Sequence, residues 1–398
     1  MMEIISPPLR FPQYMDSYNS YQTVEFFDRH KQPVALANGQ TYTEIGIRSW
    51  GKGIFHKSAK SVEDIGEKKV FWLDKNLFIL NIVFAWEQAV AQTTEAEIGK
   101  IASHRFPMFR VKESRAVLSY LLYKFLTPRG KYLLELASPG GAGRNKTLGQ
   151  KEFDRLKLFL PHVSEQQKIA DFLTAVDSKI NQLTEKHRLL KEYKKGVMQQ
   201  LFSQKIRFKD DDGNVFLDWE EKPLSKVLTE YRSKTTLENE HDVLTSSRNG
   251  LMMQSDYYSE GRITERSNVG FHVIPHGYLT YRSRSDDRMF FFNLNELGKT
   301  GIISHYYPVF SMNNGQNHFF VELTRYHSKI FGKYAVGTSQ VVLSYNAFCA
   351  IILKFPCTQE QQKIAQFLQS IDKKVDAVAL QIEQTKLFKK GLLQQMFV

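Results

Sequence analysis

Residues 160–203 read LPHVSEQQKIADFLTAVDSKINQLTEKHRLLKEYKKGVMQQLFS, and residues 355–398 read FPCTQEQQKIAQFLQSIDKKVDAVALQIEQTKLFKKGLLQQMFV. At an offset of 195 they align without a gap, and 18 of 44 positions are identical. The shared skeleton is P-x3-EQQKIA-x-FL-x3-D-x-K, then K-x2-KKG-x2-QQ-x-F. In the first copy Ile169, Leu173, Val176, Ile180, Leu183, His187, Leu190, Lys194, Val197 and Leu201 step by four and three. In the second, Ile364, Leu368, Ile371, Val375, Val378, Ile382, Thr385, Lys389, Leu392 and Met396 do the same. This is a heptad seam five heptads long, and at 1.5 Å per residue each helix would run roughly 55 Å. A helix with one apolar stripe cannot bury it alone. The two copies are expected to pair antiparallel about a two-fold axis, with 161–204 and 356–398 as the helical segments.

Polar residues interrupt the seam. Lys194 and Lys389 fall on it, Lys195 and Lys390 beside it, and Gly196 and Gly391 sit inside helical pattern, where glycine costs about 1 kcal/mol against alanine. Lys194 and Lys195 are candidates for helix pairing or partner docking. Each glycine reads either as a close approach of another backbone or as a local bend.

The duplication extends upstream. GRNKTLGQKEFDRLKLFLP (143–161) and TSQVVLSYNAFCAIILKFP (338–356) match at Leu148/Leu343, Phe153/Phe348 and Leu158/Leu353. IASHRFPMF (101–109) corresponds to IISHYYPVF (302–310), and LRFP (9–12) to IRFK (206–209). The chain therefore reads as globular unit (1–160), helix, globular unit (205–355), helix. Each unit mixes strands, with turns at Lys75-Asn76 and His276-Gly277, and a short helix in ESRAVLSYLLYKFLT. The expected fold class is α/β or α+β.

Composition narrows the function. A net charge of +12 favours polyanionic partners. Two cysteines, Cys349 and Cys357, form neither a disulfide framework nor a CxxC zinc site. No apolar run is long enough to span a bilayer, and MMEIISPPLR has no signal-like core, so a cytoplasmic protein is expected. GKT at 298–300 lacks the upstream glycine of a P-loop, and there is no GxGxxG, Asn-Pro or HExxH. Asp210-Asp211-Asp212-Gly213 reads as a turn. His104 and His305, lacking a nucleophile or carboxylate at fixed spacing, read as structural hydrogen-bonding residues.

Basic and polar residues in loops remain. In the first unit these are Arg48 and Lys52 in RSWGKG, and Arg144, Asn145 and Lys146 in a glycine-rich loop expected to precede a strand. In the second they are Arg248 and Asn249, matching RSWGKG, then Arg262, Arg266, Arg282, Arg284 and Arg288, and Ser339 and Gln340. Arginine reads guanine edges, asparagine and glutamine read adenine edges, and lysine grips phosphate. Clusters on two duplicated units suit a bipartite grip on double-stranded DNA. AWEQAVAQ (85–92) is less basic than RSRSDDR, which suggests unequal shares of base contact.

EQQKIAxFL…D, KKGxxQQxF, the LP and FP approaches and LRFP together resemble the specificity subunit of type I restriction–modification enzymes, over the whole chain. The resemblance implies two target-recognition domains alternating with two conserved helices that form an antiparallel coiled-coil spacer. Each domain would read half of an interrupted, here asymmetric, DNA site. It also implies two methyltransferase subunits docked on this chain and motor-nuclease subunits joining them. S-adenosylmethionine, ATP and Mg would then sit on those partners, and neither catalysis, cofactor nor metal would belong to this chain. From the residues alone, a coiled-coil scaffold without a DNA role and a self-sufficient DNA methyltransferase or nuclease stay open.

Overall fold

The computed structural model describes residues 6–140, 146–257 and 267–397. The chain divides into two compact units. One comprises residues up to Thr184 together with the stretch from Ala379; the other runs from Glu185 to Val378. Each therefore holds one globular region, the first half of one long helix and the second half of the other.

The central helix is Val163–Phe202 and the distal helix Thr358–Gln395. In the first unit, Ile169, Leu173 and Val176 share a core with Leu392, Met396 and Phe397. In the second, Val197, Leu201 and Phe202 share one with Ile364, Leu368 and Ile371. As one helix ascends the other descends, so the packing is antiparallel. Ile180 and Val375 are half-buried, and Leu183 is buried.

Each globular region is built on a four-stranded antiparallel sheet of the same order. In the first unit the strands are Phe27–His30, Met108–Val111, Phe78–Leu80 and Val90–Gln92. In the second they are Leu228–Tyr231, Val309–Met312, Leu279–Tyr281 and Phe292–Leu294. Beside this sheet each unit carries a hairpin, Thr41–Ile47 with Ile54–Ser61 or Leu244–Ser247 with Gly250–Met253. Each hairpin joins the strand of the duplicated nonapeptide through a parallel bridge, Glu44 to Ile101 or Val243 to Ile302. Pairing is otherwise antiparallel among the described residues, so the fold is α+β.

The matched phenylalanines meet in the cores. Phe109 and Phe153 have ring centroids 5.4 Å apart, as do Phe310 and Phe348. Such pairs add about 0.5–1.5 kcal/mol beyond area burial. The segment after residue 146 differs from expectation: a short helix, Gln150–Asp154, precedes the strand Lys157–Leu160. The helix foreseen around residues 113–127 begins only at Leu118.

The EQQ signature is an anchor. Glu165 is fully buried and accepts two hydrogen bonds from Arg10, at 2.7 and 2.8 Å. Glu360, equally buried, accepts from Arg207 at 3.1 and 2.8 Å and from Trp219 Nε1 at 3.1 Å. Gln166 Nε2 donates to the Pro161 carbonyl (2.9 Å), and Gln361 Nε2 to that of Pro356 (2.8 Å). The amide thus fastens the first turn of each helix to the proline after the strand that leads into it, and the carboxylate fastens it to the segment that opens each globular region.

Candidate nucleic-acid interface

In the second unit Arg248 and Asn249 form the two-residue tip of the hairpin, since Ser247 pairs with Gly250. Arg282 and Arg284 follow the sheet strand Leu279–Tyr281 and point into solvent. These four residues line one open cleft of about 250 Å³ together with Tyr257, Asp286 and Phe291. Arg248 pairs with Asp287 at 2.6 Å and lies 5.4 Å over the Phe291 ring. Arg284 lies 4.5 Å over Tyr306, in the duplicated nonapeptide. The Ser285 hydroxyl, the Met289 N–H and Arg248 together hold the Asp287 carboxyl below its usual range. Held over aromatic rings, both guanidinium groups are restricted before binding, which lowers the entropy lost on binding a planar partner.

The other candidates divide. Gln340 Nε2 donates to Asp286 Oδ1 (3.0 Å) at the cleft rim, and Ser339 is exposed beside it. Arg288 departs from the cluster: at φ 61° its guanidinium donates to the carbonyls of Gly332 (3.4 Å) and Gly337 (3.2 Å), bracing a loop. Arg262, Arg266, Arg144 and Asn145 lie outside the described residues.

In the first unit Arg48 and Lys52 occupy the hairpin tip equivalent to Arg248-Asn249. Arg48 covers Phe55 at 4.8 Å, and the exposed Trp50 (φ 63°) carries Lys131 4.9 Å over its ring. Lys146 pairs with Glu135 at 2.6 Å and lies 5.6 Å from the Trp86 ring centroid. A larger cleft of the same unit, about 450 Å³, includes neither Arg48 nor Lys52 and is lined instead by residues not foreseen as DNA contacts, among them Lys57, Lys60, Lys68, Asn81, His104 and Arg105 around Glu44. IFHKSAKS carried little signal: in strict alternation Lys57 and Lys60 fall on opposite faces, and the pairing irregularity at Glu44 brings both to its carboxylate, while on an edge strand lysines equally serve as a solvated face.

His104 and His305 need correcting. Both are exposed in the turn between the two strands of the nonapeptide, and among the described residues neither imidazole has a hydrogen-bond partner. What the duplication preserves is the flanking framework: Phe109 and Phe310 are 2% and 0% exposed.

On the helices, Lys389 pairs with Asp177 at 2.6 Å and Lys194 with Asp372 at 2.7 Å. Lys194 also reaches Glu322 (2.9 Å), and Tyr123 donates to Asp177 (2.8 Å). These lysines join the helices to each other and to the globular regions. Lys195 and Lys390 are exposed. A β-carbon on Gly196 or Gly391 would meet nothing within 4 Å, so among the described residues no other backbone approaches either. Among the described residues no cluster could hold a metal, and no helix is long and apolar enough to cross a membrane.

Two units of one topology, each with basic side chains lining an open cleft against its hairpin and the loop after its middle sheet strand, define a duplicated surface suited to a polyanion. The family model "Type I restriction modification DNA specificity domain" matches residues 41–191 and 201–385, and the chain belongs to that family. It is 24% identical over 339 residues to the type I restriction enzyme MjaVIII specificity subunit of Methanocaldococcus jannaschii, covering 79% of this chain and 77% of that one. Its fold resembles the type I restriction-modification S subunit from M. genitalium (TM-score 0.56, 13% identity, 99% of each chain). It also resembles the HsdS subunit from Thermoanaerobacter tengcongensis (TM-score 0.50, 16% identity, 98% of this chain and 97% of that one).

Proposed function

We propose that this chain is the non-catalytic DNA-reading subunit of a type I restriction–modification complex in the cytoplasm. Each unit reads one half of an asymmetric, interrupted duplex site. The paired helices act as the spacer and as the dock for two methyltransferase subunits, through which motor-nuclease subunits join. S-adenosylmethionine, ATP and Mg belong to those partners. The observation that carries the reading is the convergence of Arg248, Asn249, Arg282 and Arg284, from two separate segments, on one open cleft. Guanidinium and amide groups on such a surface match the donor and acceptor code of the major groove.

The test is duplex binding by the purified chain across a salt series, with methylation assayed in the presence and absence of the methyltransferase subunit. Salt-dependent binding without intrinsic methylation supports the reading. Methylation by the chain alone overturns the non-catalytic assignment. Absence of DNA binding, both alone and in the complex, leaves the coiled-coil scaffold.

A further inference from the structure

We propose that Trp50, at the tip of the first unit's hairpin, is a specificity-determining residue that packs its indole against the bases of that unit's half-site. The inference rests on the DNA-reading function above and adds the residue and the kind of contact.

The tip is strained and rigidly braced. Six residues lie between the paired Ile47 and Ile54, where two lie between Ser247 and Gly250. Within them Trp50 adopts φ 63°, a left-handed conformation in which a β-carbon crowds the following carbonyl. Such strain persists only where the surroundings over-determine it. Here the Trp50 N–H donates to the Glu87 carbonyl at 2.7 Å, the Gly51 N–H to the Gln88 carbonyl at 3.1 Å and the Arg48 N–H to the Gly53 carbonyl at 3.0 Å. The Ser49 hydroxyl donates to Glu87 Oε2 at 2.7 Å. Gln88 is itself fixed, its Nε2 donating to the carbonyls of Phe125 (2.9 Å) and Thr127 (3.1 Å). Gly51, at φ 64°, admits no β-carbon, which would stand 2.5 Å from Leu126 Cδ2. AWEQAVAQ, with one charge in eight residues, is thus the bracket that holds the tip.

What the bracket holds out is an indole. Trp50 is 53% exposed, although aromatic rings gain most from burial. Lys131 stands 4.9 Å from its ring centroid, and Arg48 and Lys52, both exposed, flank it on the same tip. The helix that carries Lys131, Pro128–Leu136, presents a second such pair, with Arg129 5.0 Å from the exposed Tyr132 ring. Exposed rings among cations suit a nucleic acid: the ring meets a base, and the ammonium and guanidinium groups meet phosphates. On a duplex, an apolar group discriminates through thymine methyls and through the ease with which a base step opens. In the second unit the same hairpin position carries Arg248 and Asn249, whose chemistry is hydrogen bonding. Unlike tips on two units of one topology would read unlike half-sites.

The target methylated by the assembled complex is mapped for Trp50→Ala, Trp50→Phe and R248A/R284A. Alanine keeps a β-carbon and therefore the strain of the tip; only the ring is lost. Trp50→Ala should relax one or two positions in the half that R248A/R284A leaves intact, with discrimination there falling about 5- to 150-fold. Trp50→Phe should retain the same preference with a smaller loss. Unchanged thermal transitions verify folding, and Trp50→Asn, whose side chain tolerates a left-handed backbone, is the ring-less variant to map should alanine not fold. An equal loss over all sequences would make Trp50 a general hold, and a failure of assembly would make it a protein contact; either overturns the proposal. An unchanged target in the ring-less variant beside a relaxed one for R248A/R284A overturns this inference alone. Unchanged targets for both would undo the DNA-reading function as well.

Discussion

Lys389 Nζ lies 2.6 and 2.8 Å from the two carboxylate oxygens of Asp177. The equivalent pair, Lys194 and Asp372, lies at 2.7 Å. Both lysines and both aspartates are 195 residues apart. A lysine on an apolar seam would be a defect; paired to the aspartate of the D-x-K signature it fixes which heptads face each other.

The pairs should therefore be coupled. Asp177→Asn and Lys389→Met should each lower stability, and a double-mutant cycle should give an interaction of about 1–2 kcal/mol. The pair is partly exposed, so larger values are not expected. Unfolding by denaturant checks this; additive single effects would deny the register role.

Arg10→Met or Arg207→Met strands a buried carboxylate, Glu165 or Glu360. A loss of about 3–5 kcal/mol is expected for either. Exposed Arg188→Met, whose partners Glu185 and Glu192 are solvated, should cost less than about 1 kcal/mol. Thermal and denaturant unfolding of the three variants side by side ranks them, and equal losses would contradict the anchor role of EQQ.

Lys124 supplies a pH dependence. It is 2% exposed, and burial, with Arg129 nearby, lowers its pKa from 10.5 to about 7. Between those values the folded lysine is largely neutral and the unfolded one charged, so unfolding takes up a proton. Its contribution then favours folding more as pH rises from about 7 towards 10.5, by at most about 1.4 kcal/mol per pH unit. Lys124→Met should remove that rise, leaving its difference from the unsubstituted protein dependent on pH. Parallel stability curves between pH 7.5 and 9.5 would refute it.

Lengthening both long helices by one heptad adds about 10 Å of helix. The methylated sequence should then show a longer spacer between its halves, read by sequencing modified DNA. An unaltered spacer would remove the helices from the measuring role.

The helices, their seam and the duplication were legible because heptad spacing and an ungapped repeat are local signals. The sheet pairing was less so. Glu44 meets Lys57 and Lys60 only across a hairpin, so a basic cleft formed from IFHKSAKS, Asn81 and Arg105 is a tertiary product. Arg288 misled for the opposite reason: it stands among arginines in sequence, but its positive φ turns it into the loop backbone. His104 and His305 drew notice as duplicated imidazoles, yet the constrained residues are the neighbouring phenylalanines.

The central claim is that two separate clefts read two halves of one DNA site. Its most direct test is to map the methylated sequence of the assembled complex before and after R248A/R284A. The account predicts an interrupted, asymmetric target in which one half relaxes while the other half and the spacer stay fixed. Relaxation of both halves, or an unchanged target, would contradict it.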